Sequence, residues 1–263
     1  MSPLLYVLVS KVLGVFICAN PRILGLSLPG VPAPLPLVSQ YGDDTSIIVI
    51  SDDAIKATFE TYSIYEKGSG SKLNLSKSKG LWLGLWNGCQ DPPVNLNWSS
   101  TKIKALDVFI SVGDLEECNW RPRIVAVENL LSSWRQRQLS FRGRALMINA
   151  LALSRVWYVA SLIHMLAWVL KELNSLAFNF FWKGKRDLVS RSVVVQPSLL
   201  DGFSVMSVKF NVWSLVAQWI KCFASSPSSW TTFMTYWFSS CFNTTPVFSH
   251  PFDFDPRVLP RFY

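Results

Sequence analysis

The sequence predicts an α+β protein whose first half mixes helices with short strands and whose second half is helical. Two β-rich runs, Leu37–Gln40 and Thr45–Ile50, flank a four-residue polar turn, which is the pattern of a β-hairpin. From Trp120 onward the apolar residues recur with the period of a helix. We place the boundary between the two halves near residues 113–118. The expected regions are 1–115, 116–190 and 191–263.

The first half begins with a helix over Pro3–Ile17, because proline suits the first helical position and an apolar run follows it. The prolines and glycines of residues 20–36 predict irregular backbone, with at most a short strand at 23–28. After the hairpin, Ser51 is a good N-cap for a second helix, which Gly68 is expected to end. The apolar stripe of this helix consists of Ile55, Phe59, Tyr62 and Tyr65.

Two more strands are expected at Leu81–Trp86 and Ile103–Ser111, after which the helical half begins. There, Phe141–Leu166 reads as one long apolar helical segment, and Gly184 is expected to end the helix that follows it. The residues beyond Ser225 predict no defined element. The apolar stripes on either side of the long segment are Ile124, Val127, Leu131 and Trp134, and Val169, Leu173, Leu176 and Phe180.

Composition limits the possible functions. Half of the 263 residues are hydrophobic and only 16% are charged, which favours either a membrane protein or part of a larger assembly that covers apolar surface. The net charge of +8 favours an acidic partner such as nucleic acid or an anionic membrane surface. Five scattered cysteines without a CxxC pair and only two histidines argue against a disulfide framework, a zinc site or a histidine-centred triad.

A membrane span near residues 145–170 is an alternative that its length permits. Arg155 lies near the middle of that segment, where insertion of an arginine costs about 2.5–3.5 kcal/mol, so a buried helix is the favoured interpretation. The apolar run Leu4–Cys18 is interrupted by Lys11 and makes a poor signal peptide. We therefore expect an intracellular protein, in the nucleus or the cytoplasm.

Two adjacent carboxylates, Asp43 and Asp44, stand at the tip of the expected hairpin. Their mutual repulsion is relieved by a nearby cation, and Mg²⁺ prefers carboxylate and phosphate oxygens. A pair of such ions can stabilise the attacking and leaving oxygens of phosphoryl transfer. Gly-Asp-Asp is also ordinary turn chemistry, and the tetrapeptide alone leaves both interpretations open.

The residues on either side of Asp43 and Asp44 form a longer motif. Gln40–Thr45 resembles motif C of a reverse-transcriptase palm, and further segments resemble other motifs of non-LTR (LINE-type) retrotransposon reverse transcriptases in the same order. Two positions depart from the family pattern, since Asp107 and Asp201 stand where glycines are usual. The matching segments are Ser2–Tyr6 (end of motif B), Ser69–Lys79 (motif D), Ile103–Leu106 (primer grip), Ser133–Arg144 and Phe180–Gly184 (thumb), and Asp201–Val205 with Gln218 and Trp219.

The resemblance implies a partial palm, with an antiparallel sheet and helices, followed by an α-helical thumb. It implies that Asp43 and Asp44 are the catalytic Mg²⁺ ligands, and that Lys77 protonates the leaving pyrophosphate or contacts the nucleotide. A solvated surface lysine is the alternative for Lys77. Basic thumb residues would bind the RNA template and DNA primer, with solvated helix faces as their alternative. These residues are Arg135, Arg137, Arg142 and Arg144, and the cluster Lys183, Lys185, Arg186 and Arg191.

The family's palm needs a further aspartate, in motif A, and fingers that bind the deoxynucleotide. Since the sequence begins within motif B, we expect neither tight Mg²⁺ binding nor primer extension from these residues alone. Asp52 and Asp53 stand a strand length from the tip and do not readily replace the motif A residue. The leading interpretation is therefore a fragment of an RNA-directed DNA polymerase, and the alternatives are a non-catalytic nucleic-acid-binding remnant and the membrane protein considered above.

Overall fold

The computed structural model describes residues 3–28, 37–89, 91–111, 113, 116–225 and 229–241. These residues form helices and small two-stranded sheets, an architecture compatible with the expected α+β class. The chain divides into two compact units, Met1–Leu106 with Phe223–Tyr263, and Asp107–Cys222.

The first unit contains α1 (Pro3–Ala19), β1 (Leu37–Tyr41), β2 (Asp44–Ile48), α2 (Asp52–Ser69), β3 (Lys79–Leu81), a 3₁₀ turn (Gly84–Trp86), β4 (Asn97–Ser99) and β5 (Lys102–Ala105). The second contains β6 (Val108–Ser111), α3 (Glu116–Arg135), α4 (Phe141–Leu146), a π-helical turn (Met147–Ala152), α5 (Ser154–Leu162), α6 (Ala167–Phe181), α7 (Arg191–Val195) and a 3₁₀ turn (Ser198–Leu200). Helix α8 (Val208–Ser225) extends across the division, and α9 (Ser229–Cys241) belongs to the first unit.

Helix α1 packs against both the hairpin and α2. The core between them consists of Leu13, Ile17, Ile23, Ala57 and Tyr65. Two hydrogen bonds to carbonyls of α1 hold its neighbours in place: Gln40 Nε2 donates to Ser10 O over 3.0 Å, and Tyr65 Oη donates to Val9 O over 3.2 Å. Gly14 makes the first contact possible, because a Cβ there would lie 2.6 Å from Gln40 Oε1.

The structure confirms both hairpin strands and the Ser51 cap, whose side chain accepts from Ala54 N–H. It contradicts the predicted end of α2, since Gly68 lies within the helix and Gly70, with φ +72°, follows its last residue. The fully buried face of α2 is formed by Ala54, Ala57, Thr61 and Tyr65, with Ile55, Phe59 and Tyr62 only half-buried beside it. Small residues let α2 approach its neighbours more closely than the predicted stripe would.

The remaining strands are shorter than expected. The strand predicted at Leu81–Trp86 ends at Leu81 because Gly84 takes φ +60° and starts a 3₁₀ turn. The strand predicted at Ile103–Ser111 is interrupted at Leu106 and Asp107, whose φ angles are +46° and +63°. At residues 23–28 only a single bridge residue, Leu26, is present. Ser2 and residues 29–36 lie outside the described part of the chain.

The second unit has the larger core. The predicted stripe of α3 is buried at Ile124, Val127 and Leu131, and Trp134 packs at its edge. Phe181, which is fully buried, and the α6 stripe complete that core. Asn119, buried on α3, binds both backbone polar groups of Phe109 on β6. The α6 stripe consists of Val169, Leu173 and Phe180, with Leu176 partly buried beside it.

The predicted helix over Phe141–Leu166 is divided into α4, the π turn and α5, and ends at Leu162. In the described part of the chain no single helix has the length and apolar composition to cross a membrane, and the α4–π-turn segment meets that test only jointly with α5, across a 43° bend. Helix α9 occupies residues after Ser225 for which the sequence predicted no element.

Candidate functional site

The acidic turn is a two-residue hairpin loop. Tyr41 and Asp44 are the last paired residues of β1 and β2, so Gly42 and Asp43 form the loop itself. Gly42 has φ +61° with no atom within 4 Å of a hypothetical Cβ. Its backbone conformation, and not crowding, is therefore what favours glycine at the first loop position. Asp43 and Asp44 stand at the tip of the hairpin, as the sequence predicted, and their side chains are exposed.

Tyr6 on α1 is electrostatically coupled to this tip. Burial raises the pKa of its phenol, and the negative charges of Asp43, Tyr65 and Asp44 raise it further. Like any tyrosine, Tyr6 is protonated at neutral pH, so its hydroxyl is a potential hydrogen-bond donor. The sequence indicates no separate role for Tyr6, because its coupling to the tip depends on the packing of α1 against the hairpin.

The donor set at the tip fits Mg²⁺ in part. Mg²⁺ in phosphoryl-transfer sites is held by one or two carboxylates together with phosphate oxygens and waters, which Asp43 and Asp44 suit. Among the residues that the structure describes, no group of three or more His, Cys, Asp or Glu side chains is present, so a two-metal centre is not complete within them. Asp53 is engaged elsewhere, since Arg22 Nη2 lies 2.8 Å from its Oδ1 and lowers its pKa.

Lys77 lies in a separate turn. Its backbone N–H donates to Asn74 O over 3.1 Å and to Asn74 Oδ1 over 3.2 Å, and its side chain is exposed. No hydrogen bond or ion pair within the described ranges joins Lys77 to the hairpin tip. The structure thus brings Asp43 and Asp44 together and places Lys77 in a different loop of the same unit.

In the second unit, the predicted basic residues gather where α3 ends, α4 begins and α6 ends. Arg144 on α4 donates through Nη1 to Phe181 O at the end of α6, and through Nε to Leu139 O over 3.1 Å. The Arg135 guanidinium packs against Gly184, where a Cβ would lie 2.2 Å from Nη2. These contacts join the three helix ends at one place.

The basic residues at these helix ends differ in their exposure to solvent. Arg144 is half-buried, packs over the Phe141 ring at 4.8 Å, and has a pKa lowered by burial. It ties the helix ends together and is poorly placed to bind a phosphate. Arg137 stacks on the Trp134 ring at 4.1 Å but remains exposed. The exposed set, here called the basic end, consists of Arg135, Arg137, Arg142, Lys183, Lys185 and Arg186.

Four aromatic rings pack beneath the basic end. Phe181 contacts Phe141, Trp182 and Phe203 at centroid distances of 5.5, 5.0 and 5.3 Å. Arg191 belongs to a different contact, since it bonds to Asp187 and stacks over Phe178 at 4.6 Å. The aromatic cluster thus belongs to the same helix ends as the exposed cations, and a surface of exposed cations suits a polyanion.

In an alignment of 235 residues that covers 82% of the chain, the chain is 29% identical to the "Transposon TX1 uncharacterized 149 kDa protein" of Xenopus laevis. The matching region amounts to 17% of that relative's length. No protein-family model matches the chain. The similarity supports a transposon-derived protein, in agreement with the resemblance of its motifs to those of non-LTR retrotransposons.

Proposed function

We propose that this chain is the part of a non-LTR retrotransposon reverse transcriptase that contains motif C of the palm and the thumb. The observation on which the proposal depends is the exposed acidic tip, where a tight hairpin presents Asp43 and Asp44 between the strands that the motif requires. The similarity to a transposon protein supports the origin. Since the chain spans 17% of that relative, the polymerase activity belongs to the proposal.

At the tip, Asp43 and Asp44 would hold Mg²⁺ jointly with the phosphates of the primer and the deoxynucleotide. The bound ion would neutralise phosphate charge during transfer. The hairpin keeps the two carboxylates in place on paired strands. Tyr6, protonated beside them, can donate a hydrogen bond to a phosphate oxygen without adding negative charge. Lys77 would supply the proton or the cation that the leaving pyrophosphate needs.

The basic end would bind the sugar-phosphate backbone of the RNA template and DNA primer. Guanidinium groups match phosphates bidentately, and four of its six cations are arginines. If all six cations contact phosphates, the logarithm of affinity should fall with the logarithm of salt concentration with a slope of about −5. Removing one contact should reduce the magnitude of the slope by about 0.9.

Binding of a labelled RNA–DNA primer-template at several salt concentrations tests this assignment. Arg137→Ala should lower both affinity and salt slope. Lys171→Ala is the matched control, since this exposed residue lies about 15 Å along α6 from its C-terminal end. Arg144→Ala should reduce stability more than the salt slope, because its bonds are internal. Equal slopes for the Arg137 and Lys171 variants would refute the proposed interface.

Primer extension on a primed RNA template, with Mg²⁺ and with Mn²⁺, tests the catalytic part against Asp43→Ala. We expect no product from the 263 residues by themselves, because the resemblance requires one more aspartate than the tip contains. The second candidate, a non-catalytic nucleic-acid-binding module, is favoured by the incomplete acidic group. Product that disappears in Asp43→Ala would reject that candidate and overturn the expectation. Salt-dependent binding without extended primer agrees with both the polymerase fragment and the non-catalytic module. Primer extension by a longer protein from the same element would then decide for the polymerase.

A further inference from the structure

Three tryptophans of the first unit form an indole stack. The rings of Trp82 and Trp98 lie 4.1 Å apart at an interplanar angle of 14°, and Trp86 continues the series 6.1 Å from Trp82 at 16°. Trp82, in the middle, is only 6% exposed, whereas Trp86, at the end, is 40% exposed. The stack thus has an anchored interior and one ring that faces solvent.

Three glycines make this arrangement of the rings possible. A Cβ on Gly80 would lie 2.1 Å from the Trp98 ring, so only glycine lets that ring lie flat on β3. Gly84 and Gly88, with φ +60° and +89°, bracket the turn that returns Trp86 onto Trp82. Trp98 is fixed further by a 2.9 Å bond from its Nε1 to Val94 O. The outer ring therefore rests on a support that does not have to rearrange when something binds.

The surrounding charge selects the class of ligand. Residues 67–104 contain six lysines and a single acidic residue, Asp91. All six lysine side chains are exposed, and β5, with two of them, lies against β3. A planar aromatic surface within a positive field suits an anionic ligand that has its own aromatic rings. The lysines are Lys67, Lys72, Lys77, Lys79, Lys102 and Lys104.

We propose that the outer face of Trp86 is a stacking site for an unpaired base of single-stranded nucleic acid. The lysines of the same segment attract the strand, and the indole binds a base through its π face, with little preference for which base it is. This inference goes beyond the proposed function, because it requires neither the hairpin carboxylates nor the basic end of the second unit.

The test compares a 12-nucleotide single strand of thymidines with an abasic strand of equal length. Trp86→Ala should weaken binding of the thymidine strand by about 5- to 100-fold, leave the abasic strand unaffected, and leave the salt slope unchanged, since stacking releases no counterions. Trp86→Phe should restore most of the affinity. Leu85→Ala is the matched control, because this neighbour is fully exposed at the same turn but has no ring.

Thermal unfolding of each variant establishes that the turn still folds. Unchanged affinity in Trp86→Ala, an equal loss for both strands, or an equal loss in Leu85→Ala would overturn the proposal, and the last result would point to an apolar protein contact. Binding of the RNA–DNA primer-template by Arg137→Ala is measured separately and tests the basic end. If that variant binds the primer-template like the unmodified chain while Trp86→Ala weakens the thymidine strand, the proposed interface fails and the stacking site stands.

Discussion

Replacing Asn119 should destabilise the second unit more than any exposed substitution on the same helix. Asn119 is 4% exposed. Its Oδ1 accepts from Phe109 N–H over 2.9 Å and its Nδ2 donates to Phe109 O over 3.1 Å. One side chain thus satisfies both backbone groups of a strand residue and joins α3 to β6.

Asn119→Ala removes both hydrogen bonds to Phe109. An internal hydrogen bond contributes about 0.5–1.5 kcal/mol net, and the better helix propensity of alanine returns roughly 0.5 kcal/mol. The expected loss in the free energy of unfolding for the two bonds is about 0.5–2.5 kcal/mol. Asn129→Ala is the matched control, since this residue is exposed on the same helix and its replacement should be neutral or slightly stabilising.

The assay is urea unfolding of the whole chain, combined with amide hydrogen exchange over residues 107–222, because two units need not unfold together. Exchange in peptides that cover β6 and α3 should accelerate in Asn119→Ala and stay unchanged in Asn129→Ala. If the two variants differ by less than about 0.5 kcal/mol, the size expected for a surface substitution, the reasoning from these two hydrogen bonds is wrong.

Two further substitutions test the hairpin tip and a tight turn. Asp43→Asn should move the pKa of Tyr6 down toward its ordinary value of 10.0, because one of the charges that raise it is gone. The pKa is measured by an absorbance titration from which the titration of Tyr6→Phe is subtracted. An unchanged pKa would contradict the coupling between Asp43 and Tyr6. Since the folded state holds the Tyr6 proton more tightly than the unfolded state, stability should fall as pH rises above about 10. Tyr6→Phe should reduce that fall but not abolish it, because burial also raises the pKa of Tyr62. Gly202→Ala should lower the melting temperature, because its Cβ would lie 2.0 Å from Gln196 O and the backbone must shift at a cost of about 1–3 kcal/mol. Gly113→Ala, whose nearest neighbour would be 4.0 Å away, is its control, and equal melting temperatures would refute the clash.

Much of the local structure could be predicted because it depends on neighbours in the chain. Alternating β-rich runs around Gly42 specify the hairpin, and Ser51 followed by two acids specifies a helix start. The interruption at Leu106 and Asp107 was not predicted, since leucine rarely adopts a positive φ and the β-rich pattern continues across both residues. There, Arg123 donates to both the carboxylate and the carbonyl of Asp107, a contact 16 residues away in the chain that no local pattern reveals.

The sequence by itself determined that two carboxylates stand at a hairpin tip and that basic residues are concentrated around Trp134 and Gly184. Only the tertiary structure decided which of those groups face solvent. Arg144 looks equivalent to Arg142 in the sequence, yet it donates to Phe181 O, 37 residues further along. Tyr6 looks like an ordinary helix residue, yet the charges of Asp43 and Asp44 raise the pKa of its phenol. The physical reason is that periodicity assigns a residue to a face of its own helix, whereas the carbonyls and charges that meet that face come from distant parts of the chain.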